Sequence, residues 1–385
     1  MMKLIFVSIY NLVQRNPIFG DLCIGRKFCI FGKKIAMQRI IHTALASFGM
    51  SGRVFHGPLL KINSGFSINK ILERTKNCSA EKYPEASIVR SFDEILEDPN
   101  IDLVIVNTPD IYHYSMCKQA LSAGKHVVVE KPFVQHSADA DELISLAREK
   151  GLLLSVFQNR RWDGDFLTVK KVVENKMLGR LVEFESHFDR YRNFVQQGTW
   201  KEEGDDYIGV LYNLGSHMVD QALVLFGMPH TVTAYLDIVR DGGKVVDYYD
   251  IRLRYDNLTV ILKSSYLTRE PGPRYTLHGT LGSFLKWGID TQEEALKKGC
   301  WPNEAGWGSE PSSAWGTINT ESGGLHIKGV VETLSGNYNA YYNNIYDAIV
   351  NGKDLFVKPE QSRDGIKVLE ACLKSHKEQK AISLD

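Results

Sequence analysis

Residues 40–52 read Ile-Ile-His-Thr-Ala-Leu-Ala-Ser-Phe-Gly-Met-Ser-Gly. The first seven, Ile40 to Ala46, are short and mostly apolar, the pattern of a strand buried on both faces of a parallel sheet. The turn Ser47-Phe48-Gly49-Met50-Ser51-Gly52 is a G-x-G-x-x-G fingerprint with serine in place of the first glycine. Gly49 lets a backbone approach a pyrophosphate, and Gly52 allows close strand–helix contact. The helix that follows offers free N–H groups to phosphates. Alone, such a stretch reads as readily as an ordinary turn. Its place between a strand and a helix makes Ser47, Gly49, Met50, Ser51 and Gly52 candidate dinucleotide-binding residues.

The alternation continues outward. Ser67 to Leu72, Ile101 to Thr108, His126 to Glu130 and Leu152 to Phe157 read as buried strands. Between them, helices are expected at Arg53 to Ile62 (interrupted by Pro58), Ser91 to Glu97, Ile111 to Ala123 and Ser137 to Lys150, with Ser137 as N-cap. Strands alternating with helices imply a doubly wound parallel sheet, here over residues 37–158. Residues 159–385 read differently. After helices at Phe166 to Lys176 and Gly209 to Phe226 come longer alternating runs at Thr231–Val239, Val246–Tyr255, Thr259–Leu267 and Tyr275–His278, separated by turns such as Asp241-Gly242-Gly243. These predict a second domain on an open, mostly antiparallel sheet. Residues 288–337 read as irregular, and two helices close the chain, near Tyr338–Val350 and Pro359–Lys377. Residues 1–36 are expected to be an upstream extension, disordered or loosely packed, since Met37 stands just before the first clear strand.

Lysine and arginine together number 46, as do aspartate and glutamate, with no basic run, so nucleic acid is not an expected partner. No apolar stretch reaches the roughly 18 residues a membrane helix requires. The six cysteines are scattered without a C-x-x-C pair, which predicts no metal site and a reduced, cytoplasmic protein.

Glu73 lies 21 residues after Gly52 (73 − 52), at the end of the second strand. An acidic side chain there suits the ribose hydroxyls of NAD and repels the 2′-phosphate of NADP, whereas Arg74 beside it would accept that phosphate. The expectation is NAD or NADP, with NAD favoured. Glu130-Lys131-Pro132 stands at the carboxyl end of a parallel strand, where ligands of open α/β sheets bind. Lys131 is either a donor to a substrate oxygen or a surface lysine before a proline turn. On a helix, Asn213 and His217 are i and i+4 and share a face. A histidine there is either a structural side chain or the proton acceptor for an alcohol.

Together these segments resemble the glucose–fructose oxidoreductase / inositol dehydrogenase (Gfo/Idh/MocA) family, from about Ile40 to the C-terminus. The carriers are Ala123-Gly124-Lys125-His126-Val127-Val128-Val129-Glu130-Lys131-Pro132, Val106-Asn107-Thr108-Pro109 with His113, and Gly215-Ser216-His217-Met218-Val219-Asp220. Residues 52–58, 158–163 and 336–338 look closest to its scyllo-inositol dehydrogenase group. The resemblance implies a Rossmann domain plus an antiparallel-sheet domain, a homodimer or homotetramer, and hydride transfer between NAD(P) and a hydroxyl or keto carbon of a cyclic polyol or sugar. It assigns Lys131 to polarising the reacting hydroxyl and His217 to taking its proton. Asn107, Thr108, Pro109, His113 and Glu130 would line the cofactor.

One departure stands out. The family often has Asp where this chain has Asn213, which predicts a lower His217 pKa and leaves a non-catalytic dinucleotide-binding sensor as the alternative. A further alternative is a redox enzyme that keeps its cofactor between half-reactions. Arg160, Arg161 and Asp163 are expected either to bind substrate hydroxyls or to form a salt bridge at the domain junction. Tyr338, with Tyr341 and Tyr342, would approach the pocket or pack on a helix face, and Trp301, Trp307 and Trp315 are candidates for a sugar-stacking wall. Inositol, a hexose, a sugar acid and an amino sugar would all suit such a pocket.

Overall fold

Six strands, β1 (Ile41–Leu45), β2 (Phe66–Leu72), β3 (Ser87–Val89), β4 (Leu103–Val106), β5 (His126–Val129) and β6 (Leu154–Val156), form one sheet in the order β3-β2-β1-β4-β5-β6. Every pair is parallel. The structure, a computed structural model, describes residues 39–204 and 207–384. The extension expected at 1–36 lies outside the described residues. β4, the run Leu-Val-Ile-Val, is fully buried at all four positions, as the centre of a sheet covered on both faces requires. Strand order reverses between β1 and β4, so the crevice for a ligand opens beyond their carboxyl ends.

Pro58 does not break the first helical segment, as the sequence suggested. A π-helical turn, Gly52–His56, runs into the helix Gly57–Lys61, and Pro58 occupies that helix's first turn. The missing proline N–H has no partner to lose there. Ser137 is likewise not the N-cap. His136 holds that position, and Glu370 accepts from both the Ser137 N–H (3.0 Å) and Oγ–H (2.6 Å). A carboxylate at a helix N-terminus suits the positive end of the helix dipole.

The second sheet has nine strands in the order β14-β13-β12-β11-β7-β10-β9-β8-β15. They are β7 (Leu181–His187), β8 (Thr231–Asp237), β9 (Tyr248–Arg254), β10 (Thr259–Ser265), β11 (Tyr275–Gly279), β12 (Gly282–Lys286), β13 (Gly316–Ser322), β14 (Leu325–Val331) and β15 (Ile382–Ser383). All pairs are antiparallel except β7 with β10. Residues 288–337 are therefore not irregular throughout. They hold the helix Gln292–Lys297 and the β13–β14 hairpin, whose two-residue turn is Gly323-Gly324, both at positive φ. Apolar periodicity could not reveal the hairpin: β13 turns Gly316, Ile318 and Thr320 inward, and β14 is almost wholly exposed.

The segment expected as one helix at 209–226 is a π-helical turn, Leu211–Gly215, followed by the helix Ser216–Phe226. The closing helices are Asn339–Asn351 and Pro359–Glu378. The last packs against β8 and the helices Ser137–Glu149 and Ser216–Phe226, so it ties both sheets together.

Candidate active site

A cleft of about 560 Å³ opens at the carboxyl edge of the first sheet. Ser47, Gly49, Met50 and Ser51 after β1, Asn107, Thr108, Pro109 and His113 after β4, and Glu130 and Lys131 after β5 line it. From the residues after β6 come Arg160, Arg190, Arg192, Tyr212, Asn213, His217 and Glu293.

Asn107 joins the two strand ends that define the crevice. Its Oδ1 accepts from Ser47 N–H (2.9 Å), its Nδ2 donates to Ser47 O (2.9 Å), and its carbonyl accepts from Ser47 Oγ–H (2.7 Å). Serine in place of the first glycine of the fingerprint thus gains a side-chain bond that glycine lacks. Gly52 packs beneath: a Cβ there would stand 2.6 Å from Ser47 O and 2.9 Å from Asn107 Nδ2. A Cβ at Gly49 would meet only Ser47 Oγ, at 3.9 Å, so that side of the turn is open. His113 joins the next pair of strand ends, with ring nitrogens 3.0 Å from Thr108 O and 2.8 Å from Pro132 O.

Lys131 projects into the cleft beside a cis peptide to Pro132. Its Nζ donates to both the main-chain O and the Oδ1 of Asn213, each at 2.9 Å. Asn213 lies in the π-helical turn, an irregularity frequent at functional sites. Burial pushes the Lys131 pKa down to about 8; the Glu130 carboxylate opposes this, and the Arg160 and Lys201 charges add to it. Behind it, Glu130 accepts from the Lys131 N–H (3.0 Å) and pairs with His56 Nε2 (3.0 Å), while His56 Nδ1 lies 2.6 Å from the Tyr342 hydroxyl. Against burial, which raises it, the His56 bond and the Lys131 and His113 charges hold the Glu130 carboxyl below its usual range.

His217 is 4% exposed, and its Nδ1 is buried without a hydrogen-bond partner among the described residues. Burial first, and then Lys131, Arg160, Arg274 and Arg190, push its pKa well below that of an ordinary imidazole. It is therefore neutral at pH 7 and able to accept a proton.

Among the other expected residues, Arg160 reaches the cleft while pairing with Asp163 (3.1 Å) and Glu293. Against burial, Arg160 and Lys297 bring the Glu293 pKa down to about 2. Arg161, Asp163 and Tyr338 do not line the cleft. Arg161 grips Asp220 with two bonds of 2.8 and 2.7 Å and also donates to Phe356 O (2.9 Å). Asp163 accepts from the buried Tyr338 hydroxyl at 2.6 Å. Tyr341 and Tyr342 are core residues bonded to Ser155 and His56. Trp301, Trp307 and Trp315 form no wall of the cleft, and Trp307 Nε1 donates to Gln292 Oε1 (3.0 Å). Glu73 and Arg74 also lie outside its lining. The Glu73 carboxylate accepts from Cys78 N–H, Ser79 N–H and Ser79 Oγ–H at 2.8, 2.8 and 2.6 Å, whereas Arg74 is exposed. His56, Arg190 and Arg192 were not anticipated. The His56–Glu130 contact spans 74 positions and leaves no local signal. The arginines' spacing just past the end of β7 could have drawn notice.

A sheet in the order 3-2-1-4-5-6, with a cleft at its switch point holding a lysine and a neutral histidine, defines a nicotinamide-dependent oxidoreductase. The chain belongs to the Gfo/Idh/MocA oxidoreductase family: residues 41–158 match the family's NAD-binding Rossmann fold, and residues 170–384 match its C-terminal alpha/beta domain. It is an NAD(P)-dependent dehydrogenase acting on CH–OH groups. The scyllo-inositol 2-dehydrogenase (NADP(+)) IolW of Bacillus subtilis (strain 168) is 39% identical, over 90% of this chain and 96% of its own. A solved protein of Bacteroides fragilis is 50% identical, covering 90% of this chain and all of its own, with a TM-score of 0.83. An oxidoreductase from Bacillus cereus is 36% identical over 90% of this chain and 99% of its own, also with a TM-score of 0.83. No helix among the described residues is long and apolar enough to cross a membrane.

Proposed function

We propose that the chain transfers a hydride between NADP and a secondary hydroxyl carbon of a cyclic polyol or sugar. The observation that carries this reading is the meeting, in one cleft at the switch point, of the Lys131 ammonium and the neutral His217 imidazole, whose Nδ1 has no partner among the described residues. Asn213 takes two of the three Lys131 N–H donors, leaving the third for the reacting hydroxyl oxygen. His217 accepts the hydroxyl proton as the C–H hydride departs, and returns it in the reverse direction. The bound dinucleotide supplies the hydride acceptor or donor. The open Gly49 side and the Asn107-braced turn fit its pyrophosphate.

NADP is favoured over NAD because the Glu73 carboxylate already receives three N–H and O–H donors, while the neighbouring Arg74 is exposed and can meet a 2′-phosphate. The NADP-dependent relative supports the same choice. Arg74→Ala is expected to lower kcat/KM for NADP about tenfold and for NAD little. Equal effects on both would reject the assignment. Reduced-nicotinamide absorbance with either cofactor, across inositols and hexoses, tests the function itself. Dinucleotide binding without turnover on any of them would favour a sensor.

Asn213 sets the pH dependence. With His217 already neutral, alcohol oxidation should show no rising limb near the ordinary histidine pKa. It should fall as pH climbs through about 8, where Lys131 loses its proton. Asn213→Asp places a carboxylate on the Lys131 ammonium and near His217, which raises both pKa values. The falling limb should then move to higher pH, and a rising limb should enter from the acid side. An unshifted profile would refute this account.

We further assign a homodimer or homotetramer, formed on the exposed face that carries Leu325 and Ile327 of β14. A cytoplasmic location fits the free Cys78, Cys117, Cys300 and Cys372.

A further inference from the structure

β7 ends at His187, and the backbone runs on beside β10: Arg190 N–H donates to Ser265 O (2.9 Å), and Tyr191 bridges Leu267. Arg190 and Arg192, two residues apart on this extended stretch, both line the cleft. Arg190 lies over the Phe188 ring at 5.5 Å, and Arg192 over the Tyr266 ring at 5.7 Å. Among the described residues neither guanidinium has a carboxylate partner, unlike the other two arginines of the cleft. Arg160 is matched by Asp163 and Glu293, and Arg240 by Glu202 and Asp247.

The cleft's own carboxylates are already engaged. Glu130 holds His56 and the Lys131 N–H, Glu202 holds Arg240, and Glu293 holds Arg160 and Lys297. Asp110, the remaining one, stands in the helical turn after β4 among the cofactor-side residues. The dinucleotide's pyrophosphate is accounted for at the turn after β1, on the Rossmann wall. Among the described residues, the wall opposite the dinucleotide turn is thus left with a surplus of positive charge. Burial lowers the Arg190 pKa, so a bound anion would relieve a real desolvation cost. A neutral polyol offers no counter-charge, whereas the planar fork of a guanidinium matches a carboxylate or phosphate with two bonds.

We propose that Arg190 and Arg192 form an oxyanion subsite, and that the substrate is a hydroxylated sugar or cyclitol carrying a carboxylate or a phosphate ester. This rests on the dehydrogenase reading above and narrows its substrate class. The chemistry is unchanged: the hydride leaves a secondary carbon, the hydroxyl proton goes to His217, and the anionic group serves only to hold the substrate.

The test compares kcat/KM for D-glucose, D-glucuronate and D-glucose 6-phosphate, and for myo-inositol and its 1-phosphate, with each cofactor. At least one anionic substrate should exceed its neutral counterpart about 100-fold, since a site built for a charged group rejects the analogue that lacks it. Preference for glucuronate identifies a carboxylate, and preference for the phosphates identifies an ester. Arg190→Gln and the more exposed Arg192→Gln should each cut that anionic-to-neutral ratio about tenfold, mainly through KM, and Arg190→Lys should keep part of it. Neutral substrates used as well as their anionic counterparts, or variants that lower both equally, would overturn the subsite and leave the dehydrogenase reading intact. If nothing turns over, calorimetric titration of the dinucleotide-loaded protein with glucuronate and glucose 6-phosphate decides. Binding that Arg190→Gln abolishes upholds the subsite and sinks hydride transfer to polyols, and absence of binding sinks the subsite.

Discussion

Lys131→Ala is expected to lower kcat for alcohol oxidation about 10³-fold while changing the dinucleotide Kd less than about threefold. The asymmetry follows from what the side chain touches. Lys131 Nζ bonds to Asn213 across the cleft and to no residue of the turn after β1. The contacts that shape the cofactor's crevice run instead through Asn107 and Ser47. Truncation removes the cation that steadies a developing alkoxide. It also removes one of the charges that keep His217 neutral, so the imidazole pKa should rise as the rate falls. Lys131→Arg should not restore turnover, because a planar fork cannot reproduce a compact ammonium between Asn213 and the substrate. Steady-state kinetics beside a fluorescence titration of reduced dinucleotide separates the two effects. A matching loss of affinity and rate would mean that Lys131 belongs to the cofactor or to the fold.

Gly52→Ala should cost about 100-fold in dinucleotide affinity and roughly 1–3 kcal/mol of stability, the range for overpacking. The added methyl would lie 2.6 Å from a main-chain oxygen that cannot swing aside, and 2.9 Å from Asn107 Nδ2. Relief requires the helix to lift or Asn107 to leave Ser47, and either change opens the crevice. Gly49→Ala is the contrasting case. Its methyl meets only Ser47 Oγ at 3.9 Å, so the melting temperature should hold while affinity drops, because the methyl occupies the pyrophosphate's approach. Equal melting temperatures for the two variants would contradict this account of the fingerprint.

The Rossmann half was legible in the sequence because its strands are continuous apolar runs with glycine stops. Leu103 to Val106 could be little else, and Gly124 and Gly151 take the positive φ that their turns need. Short motifs singled out Lys131, Asn213 and His217, and the fold brings all three to one cleft. What the sequence hid depends on which partners the fold brings to each side chain. Arg161 allowed either a substrate contact or a junction salt bridge, and its partner Asp220, 59 positions away, makes it the salt bridge. Glu73 looked free for a ribose until the loop at Cys78 and Ser79 folded over its carboxylate. The β13–β14 hairpin escaped because one strand buries small or polar side chains and the other buries almost none. The two π-helical turns escaped because they have no composition of their own.

The helix Pro359–Glu378 has one more consequence, for the order of events on the ribosome. Its Ile366, Val368, Leu369 and Cys372 are buried where it lies against β8 and the helices Ser137–Glu149 and Ser216–Phe226, and its Glu370 caps the first of these two helices. All of that surface is translated before the helix that covers it. The nascent Rossmann half therefore waits with an apolar flank uncovered and a helix start uncapped until residues 359–378 have emerged. Such exposure is a hazard for aggregation during synthesis. The same closure makes the fold a circuit, in which a helix translated well after the parallel sheet locks that sheet to the antiparallel one.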